Sequence, residues 1–362
     1  LWQNFSFTLN LYISMKRLLS TILFFGVMLV AYASSVNIVL PKKATNRVEY
    51  AAEYLQKKLL QQGFAVSVTK NGKADKNSEC KVYLSISKNT ASLKKEGFEI
   101  TTTVKQSKKG AITNISIVGN DGTGCIYACN ELAEQIKKNG ISKLPSSVKD
   151  APEMVLRGGC IGVQKPYLLP GRMVYEYPYT PELFPWFYDK QHWIEYLDML
   201  VENRMNSVYL WNGHPFASLV KLPDYPYAVE VDDATFEKNK EIFAFLTKEA
   251  DRRGIFVIQM FYNILVSKPF AEHHKIRTQD RNRPITPLLH DYTYKSVRAF
   301  IENYPNVGLL VCLGEAMATH EDDVKWMTET IIPAVKDGLK TLGRTDEPPV
   351  LLRAHDTDCK MV

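Results

Sequence analysis

The sequence lacks any block of roughly five or six like charges. Its 45 Lys and Arg residues nearly balance its 39 Asp and Glu residues, which leaves a net charge of +6. A nucleic-acid tail and a polybasic membrane patch are therefore not supported. Histidine and cysteine are also scarce, at 7 and 6 residues. No pair of them has zinc-ligand spacing with a second pair, so we predict no metal and no cofactor.

The apolar run near the N-terminus is too short to cross a membrane. It covers residues 22–30, whereas a bilayer span needs about 20 apolar residues. The basic segment 15–17 precedes it and Ala-Tyr-Ala at 31–33 follows it, in the order of a secretory signal peptide. The alternative is a core or membrane helix. We predict an upstream extension and a signal peptide over 1–33, no other membrane association, and a periplasmic or extracellular location.

Residues 36–147 have the pattern of a small α+β domain. A helix begins near Thr45 or Asn46, because apolar residues recur from there at helical spacing. A second apolar stripe after the turn at 119–122 predicts another helix, with two of the six cysteines packed as small apolar groups. Nothing in this domain resembles a reaction centre. Segments that alternate apolar with polar residues predict strands at 36–40, 64–69, 82–87, 98–104 and 112–118.

From residue 152 to 362, apolar strands alternate with helices. Strands this apolar, each followed by a helix, indicate an α/β fold with a parallel sheet buried on both faces. A flat doubly wound sheet is disfavoured, because no Gly-x-Gly-x-x-Gly follows a strand and the first connections are long, as in a (β/α)8 TIM barrel. We expect a barrel truncated after about five strands, hence a fragment. The predicted strands are 154–163, 207–211, 255–262, 307–313 and 350–354, and the helices are 189–204, 236–252, 290–303 and 322–341.

The carboxyl ends of barrel strands line the pocket, so the residues there are candidates for substrate binding. They are Lys165 after the first strand, Trp211, Asn212 and His214 after the second, and Asn263 after the third. The loop after the first strand is rich in aromatic residues. Their flat faces suit sugar rings, and the alternative is a cluster that pins the loop onto the barrel.

The fourth and fifth strand ends carry the candidate catalytic groups. Glu315 follows an apolar strand, where partial desolvation raises a carboxyl pKa toward that of a general acid. The alternative is a solvated Glu at the start of a loop. Asp356 follows the fifth strand, and adjacent strand tips permit the ~5–9 Å carboxylate separation of glycosidic hydrolysis. Arg353 either binds an anionic group or pairs with a neighbouring carboxylate. His273, His274 and His290 are predicted loop residues without a metal role.

Several segments together are similar to the family 67 α-glucuronidases and related glycoside hydrolases. They are the turn and helix at 119–127, Arg-Gly-Gly at 157–159, the second-strand segment at 208–212 and the fifth-strand segment at 350–354. The resemblance implies a noncatalytic α+β domain, also found in β-hexosaminidases, before a catalytic barrel. It also implies that Glu315 is the general acid. A β-hexosaminidase would need an Asp before that Glu, and here the residue is Gly314.

The resulting prediction is an exported glycoside hydrolase acting on a polysaccharide or oligosaccharide side chain, with uronic-acid-containing side chains among the candidates. Its partner is then a carbohydrate substrate, and the sequence gives no oligomeric state. The alternative is a noncatalytic carbohydrate-binding protein on the same scaffold. A metal-dependent barrel hydrolase is disfavoured because the first strand carries no His-x-His.

Overall fold

The computed structural model describes residues 34–89, 93–107, 110–172, 176–262, 265–304, 306–313, 317, 319–345 and 348–355. The chain divides into two compact units, Leu1–Pro152 and Glu153–Val362. Across the described residues, no helix has both the length and the apolar character that crossing a membrane requires.

The first unit is a six-stranded mixed sheet with two helices. Its strand order is β2-β1-β3-β5-β4-β6, where the pairs among β1, β2, β3 and β5 are parallel and the pairs of β4 with β5 and β6 are antiparallel. Its elements are β1 (Ser35–Val39), α1 (Asn46–Gln61), β2 (Ala65–Thr69), β3 (Cys80–Ile86), β4 (Phe98–Ser107), β5 (Gly110–Gly119), α2 (Gly122–Asn139), a 3-10 turn (Ile141–Lys143) and β6 (Ser147–Asp150).

Both helices of this unit begin at a side-chain cap and pack against each other. The Thr45 side chain accepts a hydrogen bond from the Val48 amide at 3.4 Å, and Asp121 caps α2 in the same way. The Tyr54 hydroxyl on α1 donates to Asn130 on α2 at 3.1 Å. The predicted strands and helices of this unit are present within a few residues. The sequence missed β6, because its mostly exposed residues show no apolar alternation and it forms by pairing with β4.

The second unit is a five-stranded parallel sheet of order β11-β10-β9-β8-β7, in which consecutive strands are neighbours. Its strands are β7 (Gly158–Gly162), β8 (Ser207–Trp211), β9 (Phe256–Tyr262), β10 (Val307–Cys312) and β11 (Val350–Arg353). Its α-helices are α3 (Lys190–Glu202), α4 (Phe216–Leu219), α5 (Asp233–Arg252), α6 (Lys268–His274), α7 (Pro287–Asn303), α8 (His320–Lys325) and α9 (Ile332–Thr341). Short 3-10 turns cover Pro185–Tyr188 and Pro226–Ala228, and a π-helical stretch, Trp326–Ile331, joins α8 to α9.

The two faces of this sheet differ in exposure. Side chains that alternate along the strands, such as Leu210, Phe261 and Val311, are fully buried and form the covered face. The opposite face, which we call the open face, combines buried and half-buried side chains. On it Trp211 and Tyr262, at the carboxyl ends of their strands, are half-buried, whereas Ile258 and Met260 are 0% exposed.

The open face is concave. Trp211 on β8 and Arg353 on β11 are three strands apart, which is about 14 Å in a flat sheet with strands ~4.8 Å apart. The Arg353 guanidinium carbon nevertheless lies 5.4 Å from the centre of the Trp211 ring. A sheet that curves in this way is part of a barrel wall.

Three local predictions for this unit were wrong. The first strand is 158–162 and not 154–163, because the Arg157 side chain binds the carbonyls of Met154 and Arg204 instead of continuing a ladder. His273 and His274 lie in the last turn of α6, which the Ser267 side chain caps. His290 lies in α7, whose cap is Thr286. The sequence had described all three histidines as loop residues, although its predicted helix 290–303 already began at His290.

Candidate active site

Trp211, Tyr262 and Arg353 form what we call the open-face cluster, at the carboxyl ends of β8, β9 and β11. The Trp211 and Tyr262 rings meet edge to face at 6.4 Å between centroids. An Arg353 Nη1 donates to the Tyr262 hydroxyl at 3.3 Å, and the same guanidinium lies over the Trp211 ring. All three side chains are half-buried. The cluster therefore presents a cation and two aromatic surfaces to the concave face.

The aromatic loop after β7 mostly pins itself to the protein. Tyr177, Tyr179, Phe184 and Phe187 are at most 1% exposed and touch one another edge to face or tilted. Tyr167 is the exception, with 53% of its surface exposed. Of the two roles predicted for this loop, packing explains the four buried rings, and a sugar-stacking role stays open for Tyr167.

Two predicted substrate contacts, Asn212 and His214, are buried. The Asn212 amide donates to the carbonyls of Val163 at 3.2 Å and Tyr177 at 2.9 Å, and its side-chain oxygen accepts from the His214 amide. Asn212 is 0% and His214 is 5% exposed. These contacts favour a structural role for both, as against the contact with substrate predicted from the sequence.

Lys165, also predicted to bind substrate, is half-buried on the same loop, with its Nζ 5.2 Å from the centre of the Phe184 ring. The remaining predicted residues, Glu315, Asp356 and Asn263, lie outside the described residues. Their roles stay predictions. The strands that lead to them, β10, β11 and β9, are in place.

A second group contains one predicted site residue, His214, together with four residues that the sequence did not single out. We call it the buried loop cluster: Arg172, Glu176, His214, Glu230 and Tyr292. Arg172 pairs with Glu176 at 3.0 Å and with Glu230 at 2.8 Å, and the side chains of these three residues are at most 7% exposed. The backbone amide of Lys268, at the start of α6, also donates to Glu230. His214 Nε2 lies 2.9 Å from the Tyr292 hydroxyl. The cluster thus joins the loops that follow β7, β8 and β9.

Burial shifts the titration of two members of this cluster in opposite directions. Burial, reinforced by the nearby Glu230 charge, raises the pKa of Glu176 from 4.5 to about 8, against the lowering effect of Arg172. Burial, with a smaller effect from Arg172, lowers the pKa of His214 from 6.5 to about 3. Glu176 is the one carboxyl in the aromatic segment 175–179, and that isolation is the signal by which the sequence could have revealed it.

No group of three or more metal-ligating side chains converges among the residues that the structure describes. The five described cysteines are free thiols, at Cys80, Cys125, Cys129, Cys160 and Cys312.

Comparison with known proteins identifies solved structures that are similar to this chain. No protein-family model and no curated protein matches the chain. A solved structure of a GH138 enzyme targeting pectin rhamnogalacturonan II is 61% identical over 90% of this chain, with a TM-score of 0.80. The chain is similar to glycoside hydrolases. It also matches the chitobiase of Flavobacterium johnsoniae at 13% identity over 90% of the chain (TM-score 0.57) and a β-hexosaminidase of Streptomyces plicatus at 12% over 88% (TM-score 0.51).

The chain spans only part of each relative: 36% of the GH138 enzyme, 50% of the chitobiase and 61% of the β-hexosaminidase. The two low-identity matches show the fold alone. They confirm the predicted fold class, a small α+β unit and a partial TIM barrel. None of these three relatives is a family 67 α-glucuronidase, so that finer resemblance stays a prediction.

Proposed function

We propose that this chain is part of an exported glycoside hydrolase that removes a side chain from a pectin-class polysaccharide. The observation that carries this proposal is the 61% identity, over 90% of the chain, to an enzyme described as targeting pectin rhamnogalacturonan II. We assign the substrate class to this chain only on the basis of that similarity to the GH138 enzyme.

The open-face cluster supports a carbohydrate ligand. A sugar ring has apolar C–H patches that pack on an aromatic face, and Trp211 is half-buried on a concave surface. The Arg353 guanidinium beside it fits a sugar that carries a carboxylate. The uronic-acid side chain predicted from the sequence is therefore our proposal for the substrate class, with α-glucuronic acid as one member of it.

The chemistry we propose uses two carboxyl groups. Glu315 protonates the oxygen of the leaving group, and Asp356 activates water or attacks the anomeric carbon. Glu315 follows β10 and Asp356 follows β11, and these strands are neighbours in the sheet. This assignment rests on the position of both residues in the sequence.

Export is a separate proposal, supported by the order of basic, apolar and small residues before Ser34. N-terminal sequencing of the protein recovered from the periplasm or medium should begin at Ser34. Recovery of an uncleaved cytoplasmic form would contradict it.

The test of function is Glu315→Gln in the complete protein, assayed for release of sugars from rhamnogalacturonan II oligosaccharides. Turnover should fall about 10²–10⁴-fold, the usual contribution of a general acid, with substrate binding retained. Glu321→Gln, at an exposed residue of α8, is the matched control and should keep wild-type rates. Wild-type turnover in Glu315→Gln would exclude its catalytic role. Tight binding without turnover by the wild-type protein would favour the alternative, a carbohydrate-binding protein.

A further inference from the structure

The buried loop cluster contains two polar atoms that lack a hydrogen-bond partner among the described residues. They are Oε2 of Glu176 and Nδ1 of His214. Both residues are more than nine-tenths buried, so water does not satisfy these atoms from outside. An unsatisfied buried polar atom is costly and rare in folded proteins. Two of them in one cluster call for a common explanation.

The two residues are neighbours in space. A Cβ built on Gly213, which directly precedes His214, would lie 3.6 Å from Cβ of Glu176. The Glu176 carboxyl also lies close enough to Tyr292 to influence the pKa of its hydroxyl, which is 2.9 Å from Nε2 of His214. Since Oε1 of Glu176 already accepts from Arg172, Oε2 is the oxygen that remains for His214.

We propose that Glu176 keeps its proton in the folded protein and donates it, from Oε2, in a hydrogen bond to Nδ1 of a neutral His214. The bond forms directly after a rotation of the carboxyl group or through one bridging water. The imidazole proton then sits on Nε2 and is donated to the Tyr292 hydroxyl. This arrangement satisfies both partnerless atoms with a single proton and places no additional charge in the interior.

The surroundings favour a neutral pair. The ionisable groups of the cluster around Glu176 are Arg172 from its own loop, Glu230 from the loop after α4, His214 from the loop after β8, and Tyr292 from α7. Arg172 already neutralises one carboxylate, Glu230, through two hydrogen bonds of 3.0 and 2.8 Å. A second ionised carboxylate would therefore leave an excess negative charge in the interior. The raised pKa of Glu176 and the lowered pKa of His214 agree with this state.

The pair should give stability an optimum in pH. In the folded protein it holds one proton between about 3 and about 8, whereas the unfolded chain holds one only between 4.5 and 6.5. Because the folded pKa of Glu176 is raised, its contribution is lost as the pH rises from 4.5 through about 8. Because the folded pKa of His214 is lowered, its contribution is lost as the pH falls from 6.5 to about 3. The optimum contribution therefore lies between 4.5 and 6.5.

The pair also acts as a positioning element. It ties the loop after β7 to the residues directly beyond Trp211, where Tyr262 donates its amide to the Gly213 carbonyl at 2.9 Å. Neither Glu176 nor His214 reaches the open face, so neither is a catalytic residue. An effect of this positioning on turnover depends on the proposed function being correct, whereas the proposed protonation of the pair does not depend on it.

The first experiment locates the proton in the purified protein. Nitrogen-15 NMR of the histidines should show His214 neutral, with its proton on Nε2, from pH 4.5 to 7. His192, which is exposed at the start of α3, serves as the solvent-exposed reference in the same spectra. A His214 that is charged at pH 5.5, or that carries its proton on Nδ1, would overturn the proposal.

The second experiment compares Glu176→Gln with Glu176→Leu. The Gln amide can donate to His214 while its oxygen accepts from Arg172, so Glu176→Gln should keep a midpoint of urea unfolding close to wild type at pH 5.5. It should also lose the decline in stability that the wild type shows from pH 6.5 to 8. Glu176→Leu should be destabilised at every pH. Glu241→Gln, at an exposed carboxylate that is ionised throughout this range, should retain the wild-type decline from pH 6.5 to 8.

If Glu176→Gln is as unstable as Glu176→Leu, the carboxylate form is required and the proposal is wrong. The outcome is separable from the proposed function. A glycosidase that loses turnover in Glu315→Gln while Glu176→Gln unfolds would keep the function and refute the pair. The opposite result would keep the pair and refute the function.

Discussion

The open-face cluster and the buried loop cluster both place an arginine at the carboxyl end of the same parallel sheet, yet they have opposite relations to water. Arg353 is half-buried against two aromatic rings, whereas the Arg172 side chain is 7% exposed between two carboxylates. A buried charge must be neutralised by fixed partners, and the resulting pairs hold the surrounding loops in position. A charge at the edge of a concave surface keeps part of its hydration and can exchange it for a ligand. Exposure, more than residue type, separates the two roles.

The largest effect that tests this comparison should come from Arg172→Met. It leaves the Glu230 carboxylate buried without its cation and removes the donor to Glu176, so the free energy of unfolding should fall by about 3–5 kcal/mol at pH 7. Arg353→Met removes a partly hydrated charge and should cost less than about 1 kcal/mol. Urea denaturation of both variants measures the difference. Equal losses would show that the two arginines are not distinguished by burial.

A smaller effect should come from Trp211→Ala in the complete protein. Loss of one stacking face should weaken the binding of a rhamnogalacturonan II oligosaccharide about tenfold, which corresponds to ~1.4 kcal/mol. Trp193→Phe is the control, because it should change stability and not affinity. The Trp193 side chain is buried and donates to the Phe187 carbonyl at 2.7 Å, so this variant should lose stability and keep its affinity. Calorimetric titration separates the two results. Unchanged affinity in Trp211→Ala would remove the open face from the binding site.

The smallest effect should come from Arg353→Gln. Its affinity for an oligosaccharide ending in a uronic acid should fall by about 0.5–1.5 kcal/mol, and its affinity for the same oligosaccharide reduced to the neutral sugar should stay unchanged. The loss should shrink at high salt. Parallel losses for acidic and neutral ligands would mean that Arg353 acts inside the barrel as a structural partner, as the sequence also allowed.

The alternation of strands and helices was predictable from the sequence because each element has its own periodic pattern of apolar residues. The five strands of the second unit are present, and only the first is markedly shorter than predicted. The proximity of Trp211 and Arg353 was predictable for a related reason: each stands at the end of an apolar strand, and barrel topology brings such ends together.

The buried loop cluster was not predictable in this way. Glu176 and Glu230 can be recognised as members of a cluster only because both pair with Arg172. Glu230 is 58 residues away from Arg172 along the chain, so local sequence spacing does not reveal the pair. Asn212 and His214 likewise looked available for substrate because they follow a strand. The loop that covers them has no spacing signal of its own. The π-helical stretch at Trp326–Ile331 is a further case, since its sequence continues the apolar pattern of an ordinary helix.

The curvature of the sheet bears on the order in which the molecule assembles. Arg353 meets Tyr262 across 91 residues of chain, and contacts between such distant segments form slowly. A nascent polypeptide that has already emerged as far as Tyr262 therefore holds an incomplete open-face cluster. The aromatic pair is present, but the cation that would confer a preference for acidic sugars arrives only when the fifth strand docks.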